Sequence, residues 1–279
     1  MERFETLPFK NDFMFSAVCH ENPEIVRKMT EIIVGRKITK VHNIYQQDWV
    51  SIDPTLKKIR LDVTFEGDEA IYCVEMQVGK EKELPRRIRY YQSAKDIEQI
   101  NKGGRYEQLQ PLYIIFICDY DPFGLGLSKY SFHTQCMEAE YELEDGRGII
   151  VLNTTGIQTE DLPLNALLEY IHSGKKNEEE LTEEIEEAAD RIRYNKDWRE
   201  RFMTIGEKIE RESQKAAEEA KEQERFKAIV NAVQMLRELN YEEERIGYLI
   251  PKHFELSADE YKRILEQISS LTCDGEKDS

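Results

Sequence analysis

One stretch constrains this chain more than any other: KKIRLDVTFEGDEAIYCVEMQVGK, from Lys57 to Lys80. Arg60 to Glu66 alternate polar with apolar residues, and Tyr72 to Gln77 do so again, the period of a half-buried strand. Gly67-Asp68-Glu69 supplies turn residues between them. The stretch therefore predicts a β-hairpin. With its centre between Asp68 and Glu69, Asp62 falls opposite Glu75 and Arg60 opposite Gln77. Leu61, Val63, Phe65, Tyr72, Val74 and Met76 then share an apolar face, while Asp62, Glu75 and Gln77 share the other. Directly opposed Cβ atoms lie about 4.5–5.5 Å apart, so two carboxylates there could share one cation.

Helical patterns surround the hairpin. Asn11 or Asp12 can cap a helix that carries Phe13, Phe15 and Val18. Pro23 opens a second, with Ile25, Met29, Ile32 and Ile33 as its apolar stripe and Gly35 as its terminator. Val41 to Val50 reads as a strand. Pro85 opens a helix running to about Asn101. Leu112 to Cys118 is a continuous apolar run, as in a strand covered on both faces. A turn from Asp119 to Gly126, short strands at Tyr130–Phe132 and Gly148–Leu152, and a helix at Asn165–Ile171 follow. The order helix, three strands, helix, strand implies an α/β sandwich built on a mixed sheet.

Ser173-Gly174 closes this first domain, 1–174. Residues 175–224 are rich in Glu, Lys, Arg, Ala and Gln, with Leu181, Ile185, Ala188, Ile192, Trp198 and Phe202 at helical spacing. They predict a charged helical linker or coiled-coil-like segment. Residues 225–279 predict a small helical bundle, whose last helix opens on the capping box Ser257-Ala-Asp-Glu260.

Net charge is −17, yet residues 1–110 hold 18 Lys+Arg against 18 Asp+Glu, so the acidic excess lies wholly beyond Gln110. This balance counts against a broad, purely electrostatic grip on DNA but does not exclude local phosphate binding near the hairpin. The five cysteines form no Cys-x-x-Cys pair, which argues against a disulfide framework or a zinc site and fits a reducing cytoplasm. No apolar run has the length to span a membrane.

Asp62 followed across a hairpin by Glu75-Met76-Gln77, and then a helix, resembles the PD-(D/E)xK nuclease superfamily. NDFMF, RLDV…VEMQ, LPRRIRYYQS, YIIFICDYDPFG and VLNTTG resemble, more narrowly, its Rpn group of recombination-promoting nucleases and transposase-like proteins. The likeness covers about Leu7 to Gly156. It implies a restriction-endonuclease-like αβββαβ core, a mixed sheet flanked by helices, with an all-helical C-terminal extension. It also implies a Mg²⁺- or Mn²⁺-dependent DNA endonuclease of mobile-element, recombination-promoting or defence type. Asp62, Glu75 and the backbone carbonyl of Met76 would hold the cation, and Gln77 would position the attacking water. Leu61 stands at the motif's Pro, which is often missing in the superfamily, and Gln77 where it usually has Lys, although a glutamine also occurs there in this group. A glutamine donates and accepts hydrogen bonds but carries no charge.

In the resembled fold the following helix flanks the active site, where Arg86, Arg87, Tyr91 and Gln92 would contact DNA. DNA is the expected partner, with a homodimer formed through the helical C-terminal part. On the residues alone, Asp62, Glu75 and Gln77 are the solvated face of an ordinary hairpin; the resemblance turns that reading toward a metal site. Asp12 reads as a helix cap, and Asp119 and Asp121 as turn residues, Asp119 with a supporting role near the site still open. A nuclease fold retained as a non-catalytic interaction scaffold is the competing function, favoured by Gln77 and the acidic tail.

Overall fold

The computed structural model describes residues 3–50, 59–100 and 103–274. Lys57 and Lys58, at the head of the hairpin stretch, and Asn101, the expected end of the helix after it, lie outside the described residues. Among those described, helices α1 (Asp12–Glu21) and α2 (Pro23–Val34) precede strands β1 (Val41–Val50), β2 (Ile59–Gly67) and β3 (Ile71–Gln77). Helix α3 (Leu84–Gln99) leads to β4 (Leu112–Cys118), β5 (Lys129–Phe132), β6 (Arg147–Asn153) and α4 (Leu162–Ser173). Helices α5 (Glu180–Arg193), α6 (Lys196–Glu238), α7 (Glu243–Phe254) and α8 (Ala258–Asp274) complete the chain.

The strands form one six-stranded sheet in the order β1-β2-β3-β4-β6-β5. β1, β2 and β3 pair antiparallel. The α3 crossover returns the chain so that β4 pairs parallel with β3, and β6 parallel with β4. β5 closes the far edge antiparallel. The sheet is therefore mixed, as the α/β reading requires.

Local chemistry sets the helix ends. The Asn11 side chain accepts from the Phe13 and Met14 amides at 3.1 and 3.3 Å and caps α1. Pro23 occupies the first turn of α2, and Gly35 ends it at φ 73°, a left-handed conformation that glycine adopts without a Cβ clash.

The hairpin has the expected register, with Val63 facing Val74 and Phe65 facing Tyr72. Its environment differs from the expected one. α1 packs against β1, β2 and β3, while α3 packs against β1 and β4, so both alternating sets of side chains are buried. Thr64, Cys73, Asp62 and Glu75 are as enclosed as Val63 and Phe65. Leu61, expected with Val63 and Phe65, instead joins the core cluster containing Cys73, Ile114, Phe116, Ile88 and Tyr91. Alternation in the sequence reports polarity; it does not report that β4 and β6 extend the sheet and leave the hairpin central.

The chain divides into two compact units, 1–202 and 203–279. The change of composition at Lys175 thus falls inside the first unit. Leu181, Ile185, Ala188, Ala189 and Ile192 of α5 are buried, and α5 packs on α1 and α2. Trp198 and Phe202, in the first turns of α6, stack edge-on against Phe13, with ring centroids at 5.8 and 5.1 Å. Within the second unit, Ile229 and Val233 of α6 meet Ile246 and Ile250 of α7 and Tyr261 of α8 in a small core. The capping box forms: the Glu260 carboxylate accepts from the Ser257 amide at 2.8 Å, and the Ser257 hydroxyl accepts from the Glu260 amide at 3.3 Å.

Candidate active site

The ladder between β2 and β3 runs from Glu66–Ile71 to Val63–Val74. Beyond them, side chains take over the pairing. The Asp62 amide donates to Glu75 Oε1 at 2.8 Å, and the Met76 amide donates to Asp62 Oδ2 at 3.0 Å. Two carboxylates are thereby pinned face to face where the strands part. The Ser16 hydroxyl of α1 donates to the Asp62 carbonyl at 3.2 Å and ties the same point to the helix above it. Arg60 does not reach Gln77; it pairs with Asp12 at 3.2 Å.

Asp62 is 6 % exposed and Glu75 1 %. Burial pushes the Asp62 carboxyl up to about 6, assisted by the nearby Asp12 charge and opposed by the Met76 amide, Arg60 and Arg87. Burial, and then the charge of Asp62, hold Glu75 well above the usual carboxylate range. Ionising both carboxyls would thus place more negative charge in the interior than their surroundings offset.

Asp62 opens into a cleft of about 370 Å³ lined by Lys10, Asp12, Arg60, Met76, Gln77 and Arg87. Arg87 is the best anchored of these. Its Nε donates to the Tyr91 hydroxyl at 2.8 Å, Nη1 to Gln77 Oε1 at 2.6 Å, and Nη2 to Glu75 Oε2 at 3.2 Å. Its guanidinium also lies over the rings of Tyr91 and Phe116, 5.0 and 5.3 Å from their centroids. Although burial opposes its charge, Tyr91, Glu75 and Asp62 raise its pKa further. Gln77 completes the set by donating Nε2 to the Gly79 carbonyl at 2.6 Å.

The structure brings together Asp62, Glu75, Met76, Gln77 and Arg87. It places the other expected residues differently. Tyr91 is buried and meets the cleft only through Arg87. Gln92 is 5 % exposed, with Nε2 lacking a partner among the described residues, so it offers no face to a nucleic acid. Arg86 is largely exposed, pairs with Glu83 at 2.9 Å and does not line the cleft. The physical cause is helical rotation: α3 turns Arg87 toward the sheet and its neighbour away from it.

Three cleft residues escaped the sequence reading: Lys10, Asp12 and Arg60. Asp12 sits beside the actual cap Asn11, and its carboxylate joins Arg60 at the cleft. Lys10 donates to Asp119 Oδ2 at 2.6 Å and to the His172 carbonyl at 3.0 Å. Asp12 lies in the NDFMF segment, with Lys10 just before it, and Arg60 in the RLDV segment, but nothing in those segments marks the three as neighbours in space.

Asp121 shapes a turn, accepting from the amides of Phe123, Gly124 and Gly126 and from the Tyr130 hydroxyl. Asp119 does more. Its carboxylate binds Lys10, the Thr154 hydroxyl at 2.8 Å and His172 Nδ1 at 2.7 Å. Its amide donates to the Gln77 carbonyl at 3.0 Å, which anchors the end of β3.

The mixed six-stranded sheet flanked by helices, with two buried carboxylates where β2 and β3 part, is an α/β architecture consistent with a PD-(D/E)XK nuclease. The model of the PD-(D/E)XK nuclease family transposase matches residues 9–239, and the chain belongs to that family. Neither the curated proteins nor the solved structures compared with it give a match. The match spans the cleft and continues through α6. Nucleases of this kind generally use divalent metal ions. The donor set here suits such an ion: oxygen-only, acidic and underpaired in charge. Among the described residues no group of three or more His, Cys, Asp or Glu could hold a metal by itself. A hard cation at Asp62 and Glu75 would complete its shell with backbone oxygen, water and phosphate, as Mg²⁺ commonly does. No helix among the described residues is long and apolar enough to cross a membrane.

Proposed function

We propose that this cleft hydrolyses phosphodiester bonds in DNA, as an endonuclease serving a mobile-element, recombination-promoting or defence role. The observation that carries the reading is the buried Asp62–Glu75 pair, fixed face to face beside the cleft by the two amide hydrogen bonds, where burial disfavours ionising both carboxyls until a cation offsets them. Asp62, Glu75 and the Met76 carbonyl would hold Mg²⁺ or Mn²⁺, which when bound supplies Lewis acidity and a more acidic water. The chain's own residues then have distinct tasks. Asp62 and Glu75 fix each other through the two amide bonds across the strands. Lys10, Arg60 and Arg87 line the cleft and would receive the phosphate backbone as charge-assisted donors. Gln77, Tyr91 and Phe116 hold Arg87 at the cleft wall. Cutting both strands in one encounter takes two such clefts, which a second copy joined through the helical C-terminal part would supply. The buried thiols of Cys19, Cys73 and Cys118 fit a reducing cytoplasm.

The test is nicking of supercoiled plasmid. Wild-type protein should nick with Mg²⁺ or Mn²⁺ and not in chelator, and Glu75→Gln should lower the rate about 10³-fold, since the metal-bound charge is worth several kcal/mol. A wild-type protein inert with both ions at high concentration would sink this reading.

A second reading has its own observation. Both Glu75 oxygens are already engaged, one by the Asp62 amide and one by Arg87. A nuclease fold kept as a scaffold for protein contacts would show this closed arrangement. Calorimetry with Mn²⁺ separates the two: the scaffold binds no ion at the cleft.

A further inference from the structure

The cleft must neutralise a phosphate that gains charge beside two carboxylates, and the position that the family description marks K is Gln77, a neutral amide. Both ends of that amide are occupied. Its nitrogen donates to the Gly79 carbonyl and its oxygen accepts from Arg87, each at 2.6 Å. An amide held at both ends is fixed in direction, and what it is directed at is a guanidinium.

Arg87 has five N–H groups. Among the described residues three are used, one each on Tyr91, Gln77 and Glu75. The two that remain, one on each terminal nitrogen, belong to a group that lines the cleft with Asp62. The guanidinium is also clamped between the Tyr91 and Phe116 rings and the strand end. A planar cation with two spare donors, immobilised before substrate arrives, is suited to a phosphate oxygen and needs no reorganisation on binding.

Resting on the nuclease reading above, we propose that Arg87 is the catalytic cation of this cleft, contacting the scissile phosphate, and that Gln77 is a positioning residue that aims it. The arrangement divides between two residues what one lysine would do: Gln77 supplies the direction and Arg87 the charge. It also explains why Arg87 touches Glu75. The same guanidinium that meets the phosphate keeps the carboxylate from turning away from Asp62.

The experiment combines single-turnover cleavage of a short duplex in Mg²⁺ with binding of the same duplex in Ca²⁺ over a range of salt. Arg87→Lys should slow cleavage about 10²-fold, the scale of losing one fixed donor at a developing charge. Gln77→Met should slow it about tenfold, and the double variant should be no slower than Arg87→Lys, because both act through one guanidinium. Gln77→Lys should cut more slowly than wild type, since the new ammonium repels Arg87 and removes its acceptor. In Ca²⁺, Arg87→Gln should reduce the slope of log K against log salt by about one, whereas Gln77→Met should leave the slope unchanged. Multiplying effects in the double variant, faster cutting by Gln77→Lys, or an unchanged slope in Arg87→Gln each overturn the proposal. If wild-type protein cuts nothing with Mg²⁺ or Mn²⁺, the nuclease reading falls, and the salt slope alone then decides whether Arg87 meets phosphate.

Discussion

Two aspartates of the sheet region, Asp62 within β2 and Asp119 after β4, have opposite fates. Asp119 lies just past β4, binds Lys10, Thr154 and His172, and through its amide holds the Gln77 carbonyl. Burial pushes its pKa up, but those three partners outweigh burial and leave it below the usual range. Asp62 has one amide partner for its carboxylate, two acidic neighbours and more complete burial, and its pKa rises to about 6. Asp119 is a carboxylate already paired for structure. Asp62 is one whose charge the fold leaves unmatched. Stability alone would select the first arrangement; the second makes physical sense where a cation is to be received.

Replacing the unmatched charges should separate function from stability most sharply. Asp62→Asn should lower metal-dependent nicking about 10³-fold, while Asp119→Asn should leave at least a tenth of the rate. Plasmid assays at equal protein concentration decide it. Next in size is the ion itself. At about one hundred times its dissociation constant, Mn²⁺ should stabilise wild type by about 2.7 kcal/mol. It should stabilise Asp119→Asn equally and Asp62→Asn hardly at all, as read by thermal denaturation. An equal shift in all three proteins would remove the cation from Asp62.

The same two positions should respond oppositely in chelator. Asp62 has a folded pKa above its unfolded value, so the folded state binds its proton more tightly and the ionised group costs stability as pH rises through about 6. Asp62→Asn should therefore be more stable than wild type at pH 8, by about 1–3 kcal/mol, with the gain gone below pH 4. Asp119 has a lowered folded pKa, so its contribution is present above the ordinary aspartate range and is lost as pH falls through the folded value. Asp119→Asn should be less stable at pH 8 by about 1–2 kcal/mol, converging on wild type in acid. Urea titrations at the two pH values read both signs.

The contrast also shows what sequence conveys. β1 at Val41–Val50 and β4 at Leu112–Cys118 have the bounds that their apolar patterns predicted, and the turn at Asp68 placed Asp62 against Glu75. These are local properties: alternation, run length and turn chemistry. The depth of the pair was not legible, because it depends on β4 and β6, some fifty to ninety residues further on. Lys10 and Asp12 were not legible as cleft residues for a similar reason, since only the packing of α1 on the hairpin brings them there. Composition sets α5 apart from the residues before it, whereas packing joins it to them. Its Glu-rich face is solvated, but Leu181, Ile185 and Ile192 recur on the side that meets α1 and α2.

The smallest effect sharpens the comparison at the helix that serves the cleft. Arg86 and Arg87 are adjacent, alike in chemistry, and each is paired with a glutamate. Arg86 meets Glu83 in solvent, where a pair of exposed side chains contributes about 0–0.5 kcal/mol. Arg87 meets Glu75 in the interior, with 29 % of its side chain exposed against 76 % for Arg86. Arg86→Ala should therefore leave cleavage, ion binding and urea midpoint within error of wild type. A tenfold loss of nicking in Arg86→Ala would show that DNA lies along the outer face of α3. The phosphate contact would then have to be sought on that face instead of inside the cleft where Arg87 is held.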